Sequence, residues 1–225
     1  MTTLLIATRN THKVGEIQAI LGSGFHCLTL KEFPDAPAVV EDADTFAGNA
    51  TKKAAELAKW LAGNSKLKIK NLKLDFVLAD DSGLEVDTLN GAPGVHSARF
   101  AALDKSENSQ DADNNAKLLH LLKDVPLEKR TGRFRCVIAL VPVELGNVEN
   151  SSPVCFADES TVYTFEGACE GRIQTTAAGQ GGFGYDPLFV PDGFKLSFAE
   201  LGEDVKNSLS HRAKALEELK RFFSN

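Results

Sequence analysis

The 225-residue chain is long enough to bury a sizeable core, as one large domain or as two lobes. Its 43% hydrophobic and 25% charged content is that of an ordinary globular protein, and no apolar run approaches the ~18 residues of a membrane-spanning helix. A net charge of −6 argues against a nucleic-acid polymer as partner, but a few local lysines and a metal ion can still receive a small phosphate ligand.

The N-terminus, Met1 to Ala7, is short and lacks the basic flank of a signal peptide, so a cytoplasmic location without membrane attachment is expected. Cys27, Cys136, Cys155 and Cys169 are far apart and form no CxxC pair, which points to reduced thiols rather than a zinc site or a disulfide framework. Cys136 lies in an apolar run and reads as a small core residue.

In chain order, apolar runs alternate with helical patterns, an α/β signature. Leu4 to Ala7 reads as a buried strand. Asn10 or Thr11 then caps a helix with Val14, Ile17 and Leu21 on its apolar face, stopped by Gly22. A second helix is predicted from Phe46 to Leu61, with Phe46, Ala50, Leu57 and Leu61 facing inward. Phe76 to Ala79 is a short buried strand that should deliver Asp80-Asp81 at its C-terminal end.

Further on, Asn114 to Lys123 reads as a helix with Leu118, Leu119 and Leu122 together. Phe134 to Val143 is the clearest strand, and Val154 to Ala157 and Thr161 to Phe165 are two more. The last helix spans Ser210 to Phe223 and presents Ala213, Leu216, Leu219 and Phe223 on one side. Gly63 to Lys73, which is lysine-rich, and Gly146 to Pro153 read as exposed connections. No repeat, low-complexity segment or clean domain boundary is legible.

Four constellations could carry chemistry. Thr8-Arg9-Asn10-Thr11-His12-Lys13 lies between the first strand and helix, where free backbone N–H groups and the helix dipole favour an anion. Its plainer reading is a capped helix start. Glu41, Asp42 and Asp44 precede the second helix, and alone they would merely complement its dipole. Asp80-Asp81-Ser82-Gly83 is harder to dismiss, because adjacent carboxylates after a buried strand repel unless a cation or donors relieve them. Magnesium uses such carboxylates together with phosphate and water oxygens, and open α/β sheets bind ligands at strand C-termini.

Gly181-Gly182-Phe183-Gly184-Tyr185-Asp186-Pro187 suggests backbone close to a planar ligand, with Phe183 or Tyr185 for stacking. The alternative is a glycine-rich turn with two core aromatics. Gly179 to Gly184 matches G-x-G-x-x-G, but no strand precedes it and Pro187 and Pro191 forbid the helix a dinucleotide site requires. Finally, Lys206 and Ser210-His211-Arg212 open the last helix, where a lone histidine is more often a cap or surface residue than a ligand.

Taken together these segments resemble the inosine triphosphate pyrophosphatase family, which acts on non-standard purine nucleoside triphosphates. The resemblance rests on Ala7 to Lys13, Thr45-Phe46 with Asn49-Ala50, Ala79 to Leu84, Gly91 to Phe100, Gly181 to Pro187 and Ser210 to Arg212, in that order. It runs through nearly the whole chain. It implies an elongated, two-lobed α/β fold with the active site in the cleft between the lobes, usually in a homodimer.

The resemblance further implies a magnesium-dependent hydrolase that splits such triphosphates (those of inosine, deoxyinosine and xanthosine) into monophosphate and pyrophosphate. Thr8, Arg9, Asn10, Thr11, His12 and Lys13 would hold the triphosphate. Asp81 would activate water, and Glu41 and Asp81 would contact magnesium, with Asp80 nearby. Ser82 would touch the substrate. Phe183, Gly184, Tyr185 and Asp186 would cradle base and sugar, and Lys206, His211 and Arg212 would close over the base. The chain departs from the pattern at Gly48, where many members have Glu, and around Glu41, where Asp42 is the substitute ligand.

Two rival classes remain. Asp42-Ala43-Asp44-Thr45 suggests a haloacid-dehalogenase-type phosphatase, but Pro34 and Pro37 spoil the strand that motif needs, and the Thr stands one place early. A nucleotide-binding sensor would keep the pocket yet have no need of a water-activating acid.

Overall fold

The computed structural model describes residues 1–64, 73–102, 108–143 and 162–224. Its elements are β1 (Thr2–Ile6), α1 (Thr11–Leu21), β2 (Phe25–Thr29), α2 (Phe46–Gly63), β3 (Phe76–Val86), α3 (Asp111–Leu121), β4 (Thr131–Pro142), β5 (Tyr163–Ile173), β6 (Phe189–Pro191), α4 (Phe198–Leu201), α5 (Glu203–Leu209) and α6 (His211–Ser224). Among the described residues the strands form a six-stranded mixed sheet in the order β2-β1-β3-β4-β5-β6. β1 runs parallel to β2 and to β3, whereas β5 and β6 are antiparallel. The α/β class expected from the sequence is therefore the class observed.

The chain divides into two compact units. The first comprises 1–81, 137–165 and 222–225, the second 82–136 and 166–221. In the first, Leu4, Leu5 and Ile6 of β1, Val77, Leu78 and Ala79 of β3, and Ile138, Ala139 and Leu140 of β4 are all fully buried. Strands covered on both faces need such unbroken apolar runs. α1 contributes Ile17 and Leu21, and α2 contributes Phe46, Ala50, Ala54, Leu57, Ala58 and Leu61. Val14, expected on the same face of α1, is half-buried. No described helix is long and apolar enough to cross a membrane.

The helix starts are chemically determined. The Asn10 side chain accepts hydrogen bonds from the backbone N–H groups of His12 and Lys13 at 2.9 and 3.1 Å. Gly22, at φ 65°, ends α1 with its N–H donating to the Gln18 carbonyl. The Thr45 hydroxyl caps α2 by accepting from the Gly48 N–H at 3.0 Å.

In the second unit the core gathers Leu84, Val86, Leu118, Leu122, Phe134, Cys169, Ile173, Tyr185, Leu188, Phe189 and Phe198. α6 packs close on β5, because any side chain at Gly167 would strike the backbone of His211 and Ala215. Cys27 and Cys169 are free thiols, and Cys136 is buried in the core as expected.

Several boundaries differ from the sequence-based expectation. β3 does not stop before its acids: it runs on through Asp80, Asp81, Ser82 and Gly83 to Val86. Its pairing with β1 ends at Ile6 with Leu78, so the acids stand on the part of β3 that outlasts β1. They lie just beyond the C-terminal end of β1, at mid-strand in β3. α3 begins at Asp111, three residues earlier than expected, and β5 begins at Tyr163. β2 and β6 went unread because each is short and carries no clean alternation. Val154 to Ala157, Gly146 to Pro153 and most of Gly63 to Lys73 lie outside the described residues.

Candidate active site

Two constellations of polar residues are buried, one in each unit. The first is built on β3. The Asp80 and Asp81 side chains are almost entirely buried, and Lys13 from the first turn of α1 forms an ion pair with Asp80. Lys53, on α2, donates to the Asp80 carbonyl at 2.7 Å and lies 3.1 Å from a Glu41 oxygen and 3.7 Å from an Asp81 oxygen. Asn49, one helical turn before Lys53, donates to Asp81 at 3.1 Å, while its own carbonyl oxygen accepts the Ala43 N–H. The loop carrying Glu41 is thereby tied to the acid strand.

Burial pushes the Asp81 carboxyl up from its ordinary 3.8 to about 6, and the neighbouring Glu41 adds to the rise. The Lys53 and Lys13 charges and the Asn49 hydrogen bond pull the other way without cancelling it. A carboxyl in this range is poised to take up a proton near neutral pH.

The structure separates Glu41 from its substitute. Glu41 shares the Lys53 ammonium with Asp81, whereas Asp42 is exposed and paired with Lys52 at 2.6 Å. No strand precedes Asp42-Ala43-Asp44-Thr45 among the described residues after Thr29, and Thr45 serves as the α2 cap, so the phosphatase reading lacks its scaffold.

Magnesium takes one or two protein carboxylates and completes its shell with water and phosphate oxygens. Asp80, Asp81 and Glu41 suit that demand, and a cation would relieve the raised Asp81 carboxyl. Among the described residues no three-ligand His, Cys, Asp or Glu group stands ready to hold a metal alone. The donor set therefore fits a site completed by substrate oxygens rather than a closed cage.

The first segment needs a correction of detail. The N–H groups of His12 and Lys13 are occupied by the Asn10 side chain, so they are not open to a phosphate in this state. Arg9 donates to the Ala36 carbonyl at 2.8 Å. Thr8 and Lys13 are half-buried, and Arg9, Asn10, Thr11 and His12 are exposed.

The second constellation gathers the glycine-rich segment and the start of α6. Lys206 and Asp186 form a buried ion pair at 2.5 Å, and the same ammonium lies 4.5 Å from the centre of the half-exposed Phe183 ring. The Asp186 carboxylate also accepts the Phe183 N–H at 2.9 Å. Gly182, at φ 72°, has its α-carbon against that carboxylate, where a side chain would collide. Arg212 is fully buried and donates to the Ser82 hydroxyl at 2.9 Å. The buried His211 ring stacks on Phe134, 4.9 Å between centres.

Tyr185, expected as an alternative stacking residue, is buried in the core with its hydroxyl on the Ser97 carbonyl at 2.8 Å. That leaves Phe183 as the stacking candidate of this segment. The surface reading of His211 also fails, since both it and Arg212 are interior.

Sequence reasoning missed Lys53 and Asn49 as site residues. A signal was present: Lys53 interrupts the apolar stripe of Phe46, Ala50, Leu57 and Leu61, and a lysine there must find a buried acid.

Buried carboxylates flanked by lysines, on the strand of a mixed sheet, are the equipment of an α/β phosphate-handling protein. The chain belongs to the Ham1 family, whose profile matches residues 4–222. It is 45% identical over 214 residues to a dITP/XTP pyrophosphatase of Desulforamulus reducens, covering 95% of this chain and 91% of that one. A dITP/XTP pyrophosphatase of Geobacter sulfurreducens is 46% identical over 221 residues, at 98% and 96% coverage.

Among solved structures, a HAM1 protein from Coxiella burnetii superposes with a TM-score of 0.77 at 32% identity, covering 100% of this chain and 99% of that one. A nucleoside-triphosphatase / dITP/XTP pyrophosphatase from Mycobacterium abscessus gives 0.68 at 36% identity, with 97% and 98% covered. The family resemblance read from the motifs is thus borne out.

Proposed function

We propose that this chain hydrolyses non-standard purine nucleoside triphosphates, those of inosine, deoxyinosine and xanthosine, to the monophosphate and pyrophosphate, with magnesium. The observation that carries the reading is the buried Asp80-Asp81 pair with Lys13 and Lys53 against it. Relatives named dITP/XTP pyrophosphatase, similar over nearly the full chain, support the hydrolysis of such triphosphates.

Glu41 and Asp81 would hold magnesium, which when bound screens the phosphate charge and steadies the leaving pyrophosphate. Asp81 draws a proton from the attacking water. The water oxygen bonds to the α-phosphorus, and the bond to the oxygen bridging to the β-phosphorus breaks with its electron pair on pyrophosphate. Lys13 offsets charge on the leaving group, and Thr8 to His12 line the triphosphate. Most of the acceleration in such transfers comes from positioning and neutralisation.

Phe183 would stack on the base, and Lys206, His211 and Arg212 would select the 6-oxo group. Adenine presents a 6-amino donor there, which cannot accept a hydrogen bond from them. The cytoplasmic location expected from the sequence and the homodimer implied by the resemblance belong to the same reading, and sedimentation at several concentrations tests the dimer.

A panel of nucleoside triphosphates with magnesium, scored for both products, tests the activity. The expected result is pyrophosphate, with inosine and xanthosine substrates preferred over adenosine. Orthophosphate released stepwise through a diphosphate would overturn it, as would full activity in excess chelator for the metal.

A further inference from the structure

The Phe183–Asp186 segment is tethered residue by residue. Phe183 and Asp186 are joined through the Lys206 pair and the Phe183 N–H, and Tyr185 is anchored by its hydroxyl on the Ser97 carbonyl. Gly184, at φ 62°, has no side chain to anchor, yet both polar groups of the residue are held. Its N–H donates to the Asp111 carboxylate at 2.6 Å, and its carbonyl accepts from the Asn115 amide at 3.0 Å. Asp111 and Asn115 lie four apart on α3, so one helix face grips the glycine from both ends.

We propose that Asp111 and Asn115 are positioning residues for purine recognition, acting on the base through the Gly184 backbone and so on the Phe183 ring beside it. The inference rests on the proposed role of Phe183 in stacking the base. Neither side chain is required to touch the substrate. A glycine in the left-handed region is free to reorient, and a reoriented Gly184 would carry the Phe183 ring away from the plane the base needs. A backbone N–H on a carboxylate is one of the stronger local restraints available.

The plainer role for Asp111 is a first-turn acid complementing the α3 dipole, which would affect stability and not recognition. Asn115 separates the two roles. Its Oδ1 is buried and receives no hydrogen bond from the described residues, so leucine would remove an unsatisfied acceptor along with the Gly184 contact. The Gly184 carbonyl it frees is half-exposed and can turn to water, so such a change costs little in stability.

The test measures Asp111→Ala, Asp111→Asn, Asn115→Leu and the double variant on inosine triphosphate and on ribose 5-triphosphate, which lacks the base. Each single loss of contact should raise KM for inosine triphosphate about fivefold or more, with kcat within about twofold. Ribose 5-triphosphate kinetics should not move, and Asp111→Asn, which keeps an acceptor oxygen, should recover most of the loss. Thermal midpoints for Asn115→Leu should stay close to the wild-type value.

An unchanged KM in the double variant overturns the proposal. So does an equal loss on both substrates, which would mark a general structural role. Calorimetric binding of inosine monophosphate reads the grip without turnover. Weakened binding in the variants supports the proposal even if the wild type releases no pyrophosphate, a result that would overturn the reaction alone. A wild type that binds no purine nucleotide overturns both.

Discussion

The Lys206 ammonium lies 2.5 Å from the Asp186 carboxylate, and both side chains are buried. Each charge helps to offset the cost of burying the other. Lys206→Met removes the ammonium from a buried Asp186 carboxylate that also accepts the Phe183 N–H, and Asp186→Asn removes the charge facing a buried ammonium that also lies over the Phe183 ring. Either variant should lose about 3–5 kcal/mol of stability, the usual cost of breaking a buried pair from one side. Urea denaturation would measure it, and a double Lys206→Met, Asp186→Leu variant should recover part of the loss. No difference between single and double variants would mean the two charges do not depend on each other.

Asp81→Asn keeps the shape of the side chain while removing the base and a metal-facing charge. Turnover of inosine triphosphate should fall roughly 10²–10⁴-fold, the range for loss of a general base. Asp42→Asn should change it little, because Asp42 is exposed and paired with Lys52. Steady-state kinetics at saturating magnesium compare the two; small and equal losses would place the base elsewhere.

The raised Asp81 carboxyl also makes a claim about stability in the absence of metal. The group titrates near 3.8 when unfolded and at about 6 when folded. Below 3.8 both states are protonated and the group contributes nothing. As pH rises from about 4 to 6 the folded state holds the extra proton, so this group's contribution lowers stability with rising pH. Above about 6 the full cost stands, on the order of 3 kcal/mol. In chelator, the wild type should therefore lose more stability than Asp81→Asn between pH 4.5 and 7.5. Parallel pH profiles for the two proteins would remove the burial argument.

Phe183→Ala should weaken all purine triphosphates by a similar factor, since every purine offers the same face. Stacking on an aromatic ring is worth about 1–3 kcal/mol, which corresponds to roughly 5- to 150-fold in affinity. Arg212→Ala should instead lower the inosine-to-adenosine ratio of kcat/KM. Because Arg212 is buried on Ser82, its thermal midpoint must be measured alongside. An inosine-to-adenosine ratio unchanged in Arg212→Ala would confine that residue to holding Ser82.

What the sequence alone determined is local or periodic. The stripe of Phe46, Ala50, Leu57 and Leu61 found α2, and Asn10 and Gly22 marked the two ends of α1, because apolar spacing and capping chemistry act within a few residues. The ordered motifs identified the family, since each preserves a local chemical arrangement. Other features were beyond such reasoning. Lys53 becomes a partner of Asp81 only when α2 packs beside β3, 28 positions further along the chain. Tyr185 looked available for stacking until its hydroxyl was found on Ser97, 88 residues away, and His211 looked like a surface residue until it was found on Phe134. Burial and partner choice are decided by which distant elements cover a side chain, and that is settled by packing of the whole chain rather than by any residue's neighbours in sequence.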